Sequence, residues 1–250
     1  FKKYPNIFKK LYKVNFKHPV KNYISLTLKV PEYKYYAFAD QDDVWFEDKL
    51  IHSISKLNEG YLLYGGRVQV TDENLKTIGY SPIFEKPTSF ANAIVQNIAG
   101  ANTMVFNHSA MKIFRKIKNH PITSIDWLFY ILVTFYGNKV FYDKHPKILY
   151  RQHSNNDHGI GKSFQSRLSR FLFLIKGGNK LFNELNVSLL NEIVDNYEKQ
   201  NLEILSNYNY LRNNMKYRLS SFKFLKKSKI YRQTFLGNLN LNFSIFFGLE

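Results

Sequence analysis

Residues 34–50 have the sequence KYYAFADQDDVWFEDKL, in which a short aromatic strand leads directly into an acidic turn and then into a helix. The aromatic side chains alternate in position, as they do in a half-buried strand. The helix is predicted from about residue 47 to about residue 57, with Leu50, Ile54 and Leu57 on its apolar face. Because open α/β sheets bind their ligands beyond the carboxyl ends of strands, the acidic turn is a candidate site.

Strands and helices alternate along the chain as far as about residue 155. Strands are predicted at residues 34–39, 61–64, 67–71, 103–106, 139–142 and 147–150. Helices are predicted within residues 5–30 and at 90–97, 109–117 and 125–136, and amphipathic helices follow at 163–176, 179–206 and 208–228. This order predicts an α/β sheet in residues 1–156 and a basic α-helical C-terminal extension in residues 157–250.

The composition excludes several classes of protein. The 250 residues include 36 Lys and Arg against 19 Asp and Glu, a formal net charge of +17, and no cysteine. Without cysteine there is no disulfide scaffold, no cysteine-ligated metal and no cysteine nucleophile. The longest strongly apolar stretch, residues 127–136, is about half the roughly 20 residues that span a bilayer. The chain opens on Phe1 without a signal-peptide layout, so we expect a fragment with residues missing upstream.

The positive charge has a distinct pattern near the C-terminus. Between Ile204 and Leu249 there is no acidic residue, but eight Lys and Arg occur with aromatic residues between them. Such a stretch binds an anionic membrane surface, with about 1 kcal/mol for each cation near the lipid. A solvated helix face is an equally favoured interpretation. Nucleic acid is the least favoured partner, because no recognition motif accompanies the charge.

Three aspartates lie within four residues of the acidic turn, at Asp40, Asp42 and Asp43. Carboxylates this close repel one another unless a cation or hydrogen-bond donors compensate them, and Mg²⁺ or Mn²⁺ are the natural cations for oxygen ligands. A calcium EF-hand loop is excluded, because Trp45 occupies the position that must be glycine. The alternative is a turn in which Asp43 caps the following helix and its neighbours are solvated.

The segment AFADQDDVWFEDKL, residues 37–50, resembles the metal-binding segment of bacterial family 2 glycosyltransferases, in particular their rhamnosyltransferase-like members. The resemblance implies a GT-A fold, a Rossmann-like mixed sheet flanked by helices. It implies that Asp40 contacts the nucleotide ribose or the metal. It further implies that Asp42 ligates Mn²⁺ or Mg²⁺ on the diphosphate of a nucleotide sugar, with Asp43 in a supporting or capping position.

Two later segments resemble segments of this family and follow in the same order along the chain. Residues 97–106 (NIAGANTMVF) resemble its glycine loop, which implies that Gly100 lines the donor site. Residues 124–128 (SIDWL) resemble the position of its general base, which implies that Asp126 takes the proton of the acceptor hydroxyl. Ile125 departs from the usual Glu or His. Asp126 would alternatively offset the dipole of a helix N-terminus, and Trp127 would either face the acceptor sugar or pack in the core.

A third segment, residues 150–156 (YRQHSNN), resembles the closing motif of the family. It implies that Arg151 meets a phosphate of the donor and that His153 completes the metal shell. An imidazole among oxygen ligands favours Mn²⁺ over Mg²⁺. Without this context His153 would be an ordinary surface or core histidine.

The resemblance therefore predicts a metal-dependent inverting glycosyltransferase, a hexosyl- or rhamnosyltransferase. It would move a sugar from a nucleotide-diphosphate donor to a glycan or lipid-linked saccharide of the O-antigen, capsule or lipooligosaccharide type. We expect it on the cytoplasmic side, peripheral on the inner face of the cell membrane. The first nucleotide-binding strands of the family have no counterpart in residues 1–156, so the activity of this chain alone stays open. The alternatives are a non-enzymatic membrane-surface or nucleic-acid-binding module and an inactive transferase remnant.

Overall fold

A computed structural model of the chain describes residues 19–117, 121–122, 124–152, 178–193 and 199–250. The helices are α1 Pro19–Lys29, α2 Lys49–Asn58, α3 Phe90–Ala93, α4 His108–Phe114, α5 Ile125–Phe135, α6 Gly178–Glu192, α7 Lys199–Asn213, α8 Met215–Arg218, α9 Ser221–Ser228 and α10 Phe235–Phe247. The strands are β1 Tyr35–Ala37, β2 Val44–Trp45, β3 Leu63–Gly66, β4 Gln69–Thr71, β5 Thr77–Tyr80, β6 Val105–Asn107, β7 Val140–Asp143 and β8 Ile148–Arg151.

The strands form two mixed sheets of four strands each. The first has the order β1-β6-β3-β7, in which β3 and β7 are parallel and the other pairs are antiparallel. The second has the order β2-β8-β4-β5, in which only β4 and β8 are parallel. The α/β class is therefore confirmed, and the predicted elements between residues 34 and 151 are present within a few residues. The GT-A arrangement stays a prediction.

Helix α5 is the centre of the hydrophobic core. Nine of its eleven residues are buried, because its sequence IDWLFYILVTF is apolar on every side after the first turn. The ring of Phe129 packs against Phe38, Phe106 and Phe114, with ring centroids 4.1–5.6 Å apart. These contacts hold the strand that precedes the acidic turn directly over α5.

The C-terminal helices share this core. The side-chain amide of Asn201 on α7 donates to the carbonyl oxygens of Thr134 and Phe135 at the end of α5, both at 2.9 Å. The backbone N–H of Tyr231 donates to the carbonyl of Ala91 on α3. Within the parts of the chain that the structure describes, no helix is long and apolar enough to cross a bilayer. The division into two domains near residue 156 stays a prediction.

Some of the expected helix boundaries are wrong. The break predicted at residue 207 lies inside α7, which continues to Asn213, and the predicted helix 208–228 is divided among α7, α8 and α9. Helix α10 is not among the predicted elements. The predicted helix 163–176 and residues 5–18 lie outside the described residues.

Helix α2 begins two residues later than predicted, and of the three predicted face residues Leu57 is buried, Ile54 is half-buried and Leu50 is exposed. Lys49, Ser53 and Leu57 are buried, whereas Leu50 is 41% exposed. The helix is anchored at its middle by Asp143, which lies beside His52 and accepts a hydrogen bond from the hydroxyl of Tyr64. This anchor fixes the rotation of α2, and the rotation turns Lys49 towards the candidate site.

Candidate active site

The acidic turn (residues 40–43) is held in place from one side by α1. The hydroxyl of Tyr23 donates to Oδ1 of Asp40 over 2.6 Å. Burial raises the pKa of Tyr23, and the hydrogen bond to Asp40 raises it further, so the tyrosine stays a donor. Asp40 is therefore a positioned carboxylate at the carboxyl end of β1, where the sequence predicts a ligand site.

Asp43 connects the acidic turn to two other segments. Its Oδ2 accepts from the side-chain amide of Asn102, and its Oδ1 accepts from the backbone N–H of Arg151 at 3.3 Å. Burial raises the pKa of Asp43, although both hydrogen bonds favour its charged form. The alternative in which Asp43 caps the following helix is wrong, because strand β2 intervenes and the N-cap residue of α2 is Asp48.

The glycine loop (residues 97–103) contacts both the acidic turn and Asp126, the two places where the sequence predicts functional carboxylates. Its Asn102 holds Asp43, and the side-chain amide of Asn97 donates to Oδ2 of Asp126 at 3.0 Å. Gly100 has an ordinary φ of −74°, so its backbone conformation does not require glycine. A Cβ there would lie 2.7 Å from Oδ1 of Asn102, so the missing side chain leaves room for the residue that holds Asp43.

Asp126 lies in the first turn of α5, next to its N-cap residue Ser124. Its Oδ1 accepts from the Ser124 hydroxyl and from the backbone N–H of Trp127, so the carboxylate also offsets the positive end of the helix. Within the described residues, Oδ2 accepts one hydrogen bond, from Asn97, and a carboxylate oxygen has room for two. The general-base role stays a prediction that this geometry permits.

Trp127 makes the contacts of a core residue. Its indole N–H donates to the carbonyl of Ala93 over 2.7 Å, and its ring stacks at 6.0 Å on Phe182 of α6. The predicted contact with an acceptor sugar stays untested. Two residues of the segment that resembles the closing motif were predicted to act in the site. Arg151 is the last residue of β8 and lies beside the acidic turn, whereas His153 lies outside the described residues.

Lys49 is a further residue beside the acidic turn, and no sequence pattern indicates it. Its side chain is 1% exposed, its Nζ lies 3.6 Å from the centre of the Trp45 ring, and it donates to the carbonyl of Asn102 over 2.8 Å. Burial lowers the pKa of this lysine to about 7, while the nearby Asp43 and Asp40 oppose the shift. Lysines are almost never fully buried, so no sequence signal distinguishes this one from a surface residue. It places an amine, positively charged when protonated, beside the acidic turn.

We expect Lys49→Met to flatten the dependence of folding stability on pH. The unfolded chain keeps this ammonium protonated to about pH 10.4, whereas the folded protein releases the proton at about pH 7. Between these values the unfolded state binds more protons, so wild-type stability rises with pH, by at most about 1.4 kcal/mol per unit from this group. Urea unfolding from about pH 7 to about pH 9 measures the difference. If the unfolding free energies of wild type and variant change equally with pH, the prediction is contradicted. Lys112→Met, at an exposed position, is the matched control.

The carboxylates of the acidic turn suit one kind of metal site. Nowhere in the described ranges do three His, Cys, Asp or Glu side chains come together in a group that would hold a metal ion. Mg²⁺ is commonly bound by one or two carboxylates together with phosphates of the substrate, without an all-protein cage. Asp40 and Asp42 fit that arrangement, since both oxygens of Asp43 are engaged by Asn102 and Arg151. Dependence on a metal stays a prediction.

A large cavity lies away from these residues. It has a volume of about 730 Å³ between α3, β7 and the C-terminal helices, and its wall includes Phe84, Ser89, Tyr142 and Tyr231. None of the predicted site residues lines it. Its lining contains four lysines, Lys86, Lys139, Lys144 and Lys229, but one carboxylate, that of the exposed Glu85, so it has no acidic cluster comparable to the acidic turn. On chemical grounds the turn is the better candidate site.

The chain is an α/β protein in which an acidic turn follows a strand and a buried lysine lies beside that turn. One loop contacts both the turn and a carboxylate in the first turn of α5. No protein-family model matches the chain. The chain is 27% identical over 205 residues to the dTDP-rhamnosyl transferase RfbG of Shigella flexneri, a match that covers 77% of this chain and 68% of that protein. Among solved structures, the crystal structure of A197 from STIV matches 58% of this chain and 83% of its own, with 18% identity and a TM-score of 0.34. That structural likeness is too low to support an argument.

Proposed function

We propose that the chain is a glycosyltransferase that moves a sugar from a nucleotide-diphosphate donor to a saccharide acceptor. The observation that carries the proposal is that the glycine loop donates hydrogen bonds both to the acidic turn and to Asp126. Asn97 and Asn102 are five residues apart, so their Cα atoms lie no more than about 18 Å from each other. The similarity to a dTDP-rhamnosyl transferase supports the same activity.

The proposed roles follow from the charge on each group. Asp40 and Asp42 would hold Mg²⁺ or Mn²⁺, and Arg151 would meet a phosphate of the donor. When bound, the metal stabilises negative charge on the departing nucleoside diphosphate as a Lewis acid. Lys49 compensates the aspartates from inside the protein and keeps the turn in shape.

Asp126 accepts the proton of the acceptor hydroxyl in this proposal. The hydrogen bonds from Ser124 and Trp127 fix its Oδ1, and Oδ2, which accepts one hydrogen bond from Asn97, would take the proton at its second acceptor position. Attack by that hydroxyl opposite the leaving diphosphate inverts the anomeric carbon. The family 2 membership and the GT-A fold belong to the same proposal.

The substrates are proposed from the relative and from the charge. A dTDP-activated deoxyhexose such as rhamnose is the first donor to test, because the relative is named for dTDP-rhamnosyl transfer. The acceptor would be a growing surface glycan, carried on a lipid at the cytoplasmic face of an anionic membrane. The acid-free basic stretch from 204 to 249 supports that location.

Thermal unfolding with nucleotides tests the donor site. We expect dTDP or its sugar to raise the unfolding temperature in the presence of Mn²⁺, by about 3–6 °C at ten times Kd, which corresponds to about 1.4 kcal/mol. UDP, GDP and their sugars are the comparison ligands, each with and without Mn²⁺. If no nucleotide shifts the unfolding temperature, the chain has no donor site of its own and the proposal fails. Salt-sensitive vesicle binding in that case would favour the non-enzymatic membrane module.

A further inference from the structure

Helix α10 exposes its most apolar side. Six apolar side chains on it are between 42% and 76% exposed, namely Phe235, Leu236, Leu239, Phe243, Phe246 and Phe247. At about 100° of rotation per residue, these six lie within an arc of about 120°. The buried residues Leu241, Ser244 and Ile245 occupy the opposite side. A surface helix usually turns its apolar stripe inward, so the apolar face of α10 is the reverse of the normal arrangement.

This apolar face is continuous over the whole helix. Its 13 residues extend for about 20 Å, and no charged side chain interrupts them. Contiguous apolar surface on this scale marks an interaction site, whereas single exposed apolar residues need no explanation. The helix is well formed at both ends: Thr234 accepts from the N–H of Gly237 at its start, and Gly248 ends it in a left-handed conformation.

Four exposed lysines lie on the helix next to the apolar face of α10 or directly after that helix. Helix α9 packs against α10 and exposes Lys223, Lys226 and Lys227, followed by the exposed Lys229. Phe222, which is 68% exposed, lies among them. Because the two helices are in contact, their exposed sides together present a surface with apolar and positive groups.

The negative charge nearest in sequence does not reach this surface. Glu250 is 4% exposed and forms an ion pair with Arg232 at 2.9 Å, and Asn183 also donates to it. Between residues 204 and 249 there is no other carboxylate side chain. The surface therefore complements a partner that has anionic groups over an apolar layer. An anionic lipid membrane has this chemistry, with its headgroups over its acyl chains.

We propose that the apolar face of α10 inserts into the interface of an anionic lipid membrane, with Lys223, Lys226, Lys227 and Lys229 against the headgroups. A second copy of the chain would also cover apolar surface, but it would bring like-charged lysines towards each other. The inference deepens the proposed function, because it identifies the surface that brings the site to a lipid-linked acceptor. Its test measures binding alone, so its failure differs from failure of sugar transfer.

Vesicle cosedimentation measures the binding. We expect the protein to bind phosphatidylcholine vesicles that contain phosphatidylglycerol, and to bind pure phosphatidylcholine far more weakly. The combined Lys223→Gln, Lys226→Gln and Lys227→Gln variant should bind about 100-fold more weakly at low salt. The combined Leu236→Gln, Leu239→Gln and Phe243→Gln variant should bind at least about tenfold more weakly at low and at high salt. Ile51→Gln, at a 77% exposed position on α2, is the matched control and should bind as wild type does.

Phe243→Trp gives a second measurement that does not depend on a destabilising change. Its additional fluorescence should shift to shorter wavelength when anionic vesicles are added, because the indole leaves water. The proposal is overturned if the indole does not respond while the protein binds, since the binding would then be electrostatic only. It is also overturned if wild type does not bind vesicles and sedimentation velocity shows a dimer that the glutamine variant of α10 dissociates.

Discussion

We expect Asp42→Asn to abolish the Mn²⁺-dependent rise in unfolding temperature with a nucleotide sugar, and to lower the rate of transfer at least about 100-fold. Loss of a residue that only supports a metal ligand already costs about 10–100-fold in affinity, so a direct ligand should cost more. The amide keeps the size of the carboxylate but removes the charge that a divalent cation requires. Thermal unfolding and a transfer assay on the same preparations measure both effects.

The matched control for this variant is Glu73→Gln. It removes one negative charge from the exposed turn between β4 and β5 and should leave both measurements unchanged. A wild-type response to Mn²⁺ in Asp42→Asn would contradict the assigned role. The acidic turn would then be a structural element held by Tyr23, Asn102 and Lys49.

Asp126→Asn should lower kcat about 10²- to 10⁴-fold, the usual contribution of a general base. The affinity for the donor should change little, because Asp126 acts on the acceptor hydroxyl and the asparagine oxygen still accepts from Trp127. Single-turnover transfer, with donor affinity measured separately by thermal unfolding, distinguishes the two quantities.

Ser124→Ala separates the catalytic role of Asp126 from its structural role. It removes the N-cap side chain of α5 and one hydrogen bond to Oδ1 of Asp126, and should cost about 1 kcal/mol of stability, but it keeps the carboxylate and its hydrogen bond from the N–H of Trp127. Its kcat should therefore remain far closer to wild type than that of Asp126→Asn. If both variants lose similar stability and neither loses kcat, Asp126 serves only the helix N-terminus.

The order of elements in the first part of the chain could be predicted because each depends on local pattern. The aromatic strand before Asp40 is identified by its alternating pattern and α5 by the length of its apolar run, and both are present. The acidic turn could be identified because three carboxylates so close together need compensation. The same reasoning did not reveal that Tyr23, Asn102 and Lys49 provide much of the support.

The face that a helix buries proved harder to predict than the helix itself. The apolar spacing of α2 points to Leu50, but the helix buries Lys49, because Asp143 with His52 and Tyr64 fixes its rotation from a distant strand. The buried face of α10 is even harder to predict from the sequence, because its apolar side faces outward.

The sequence by itself determined the α/β class, the position of the acidic turn at a strand end and the acid-free basic stretch near the C-terminus. The tertiary structure decided that one loop holds both Asp43 and Asp126, that Lys49 is buried beside the turn, and that α10 presents an apolar surface. The physical reason is that periodicity records which residues share a side of an element. Which neighbour covers that side depends on packing between segments far apart in the chain.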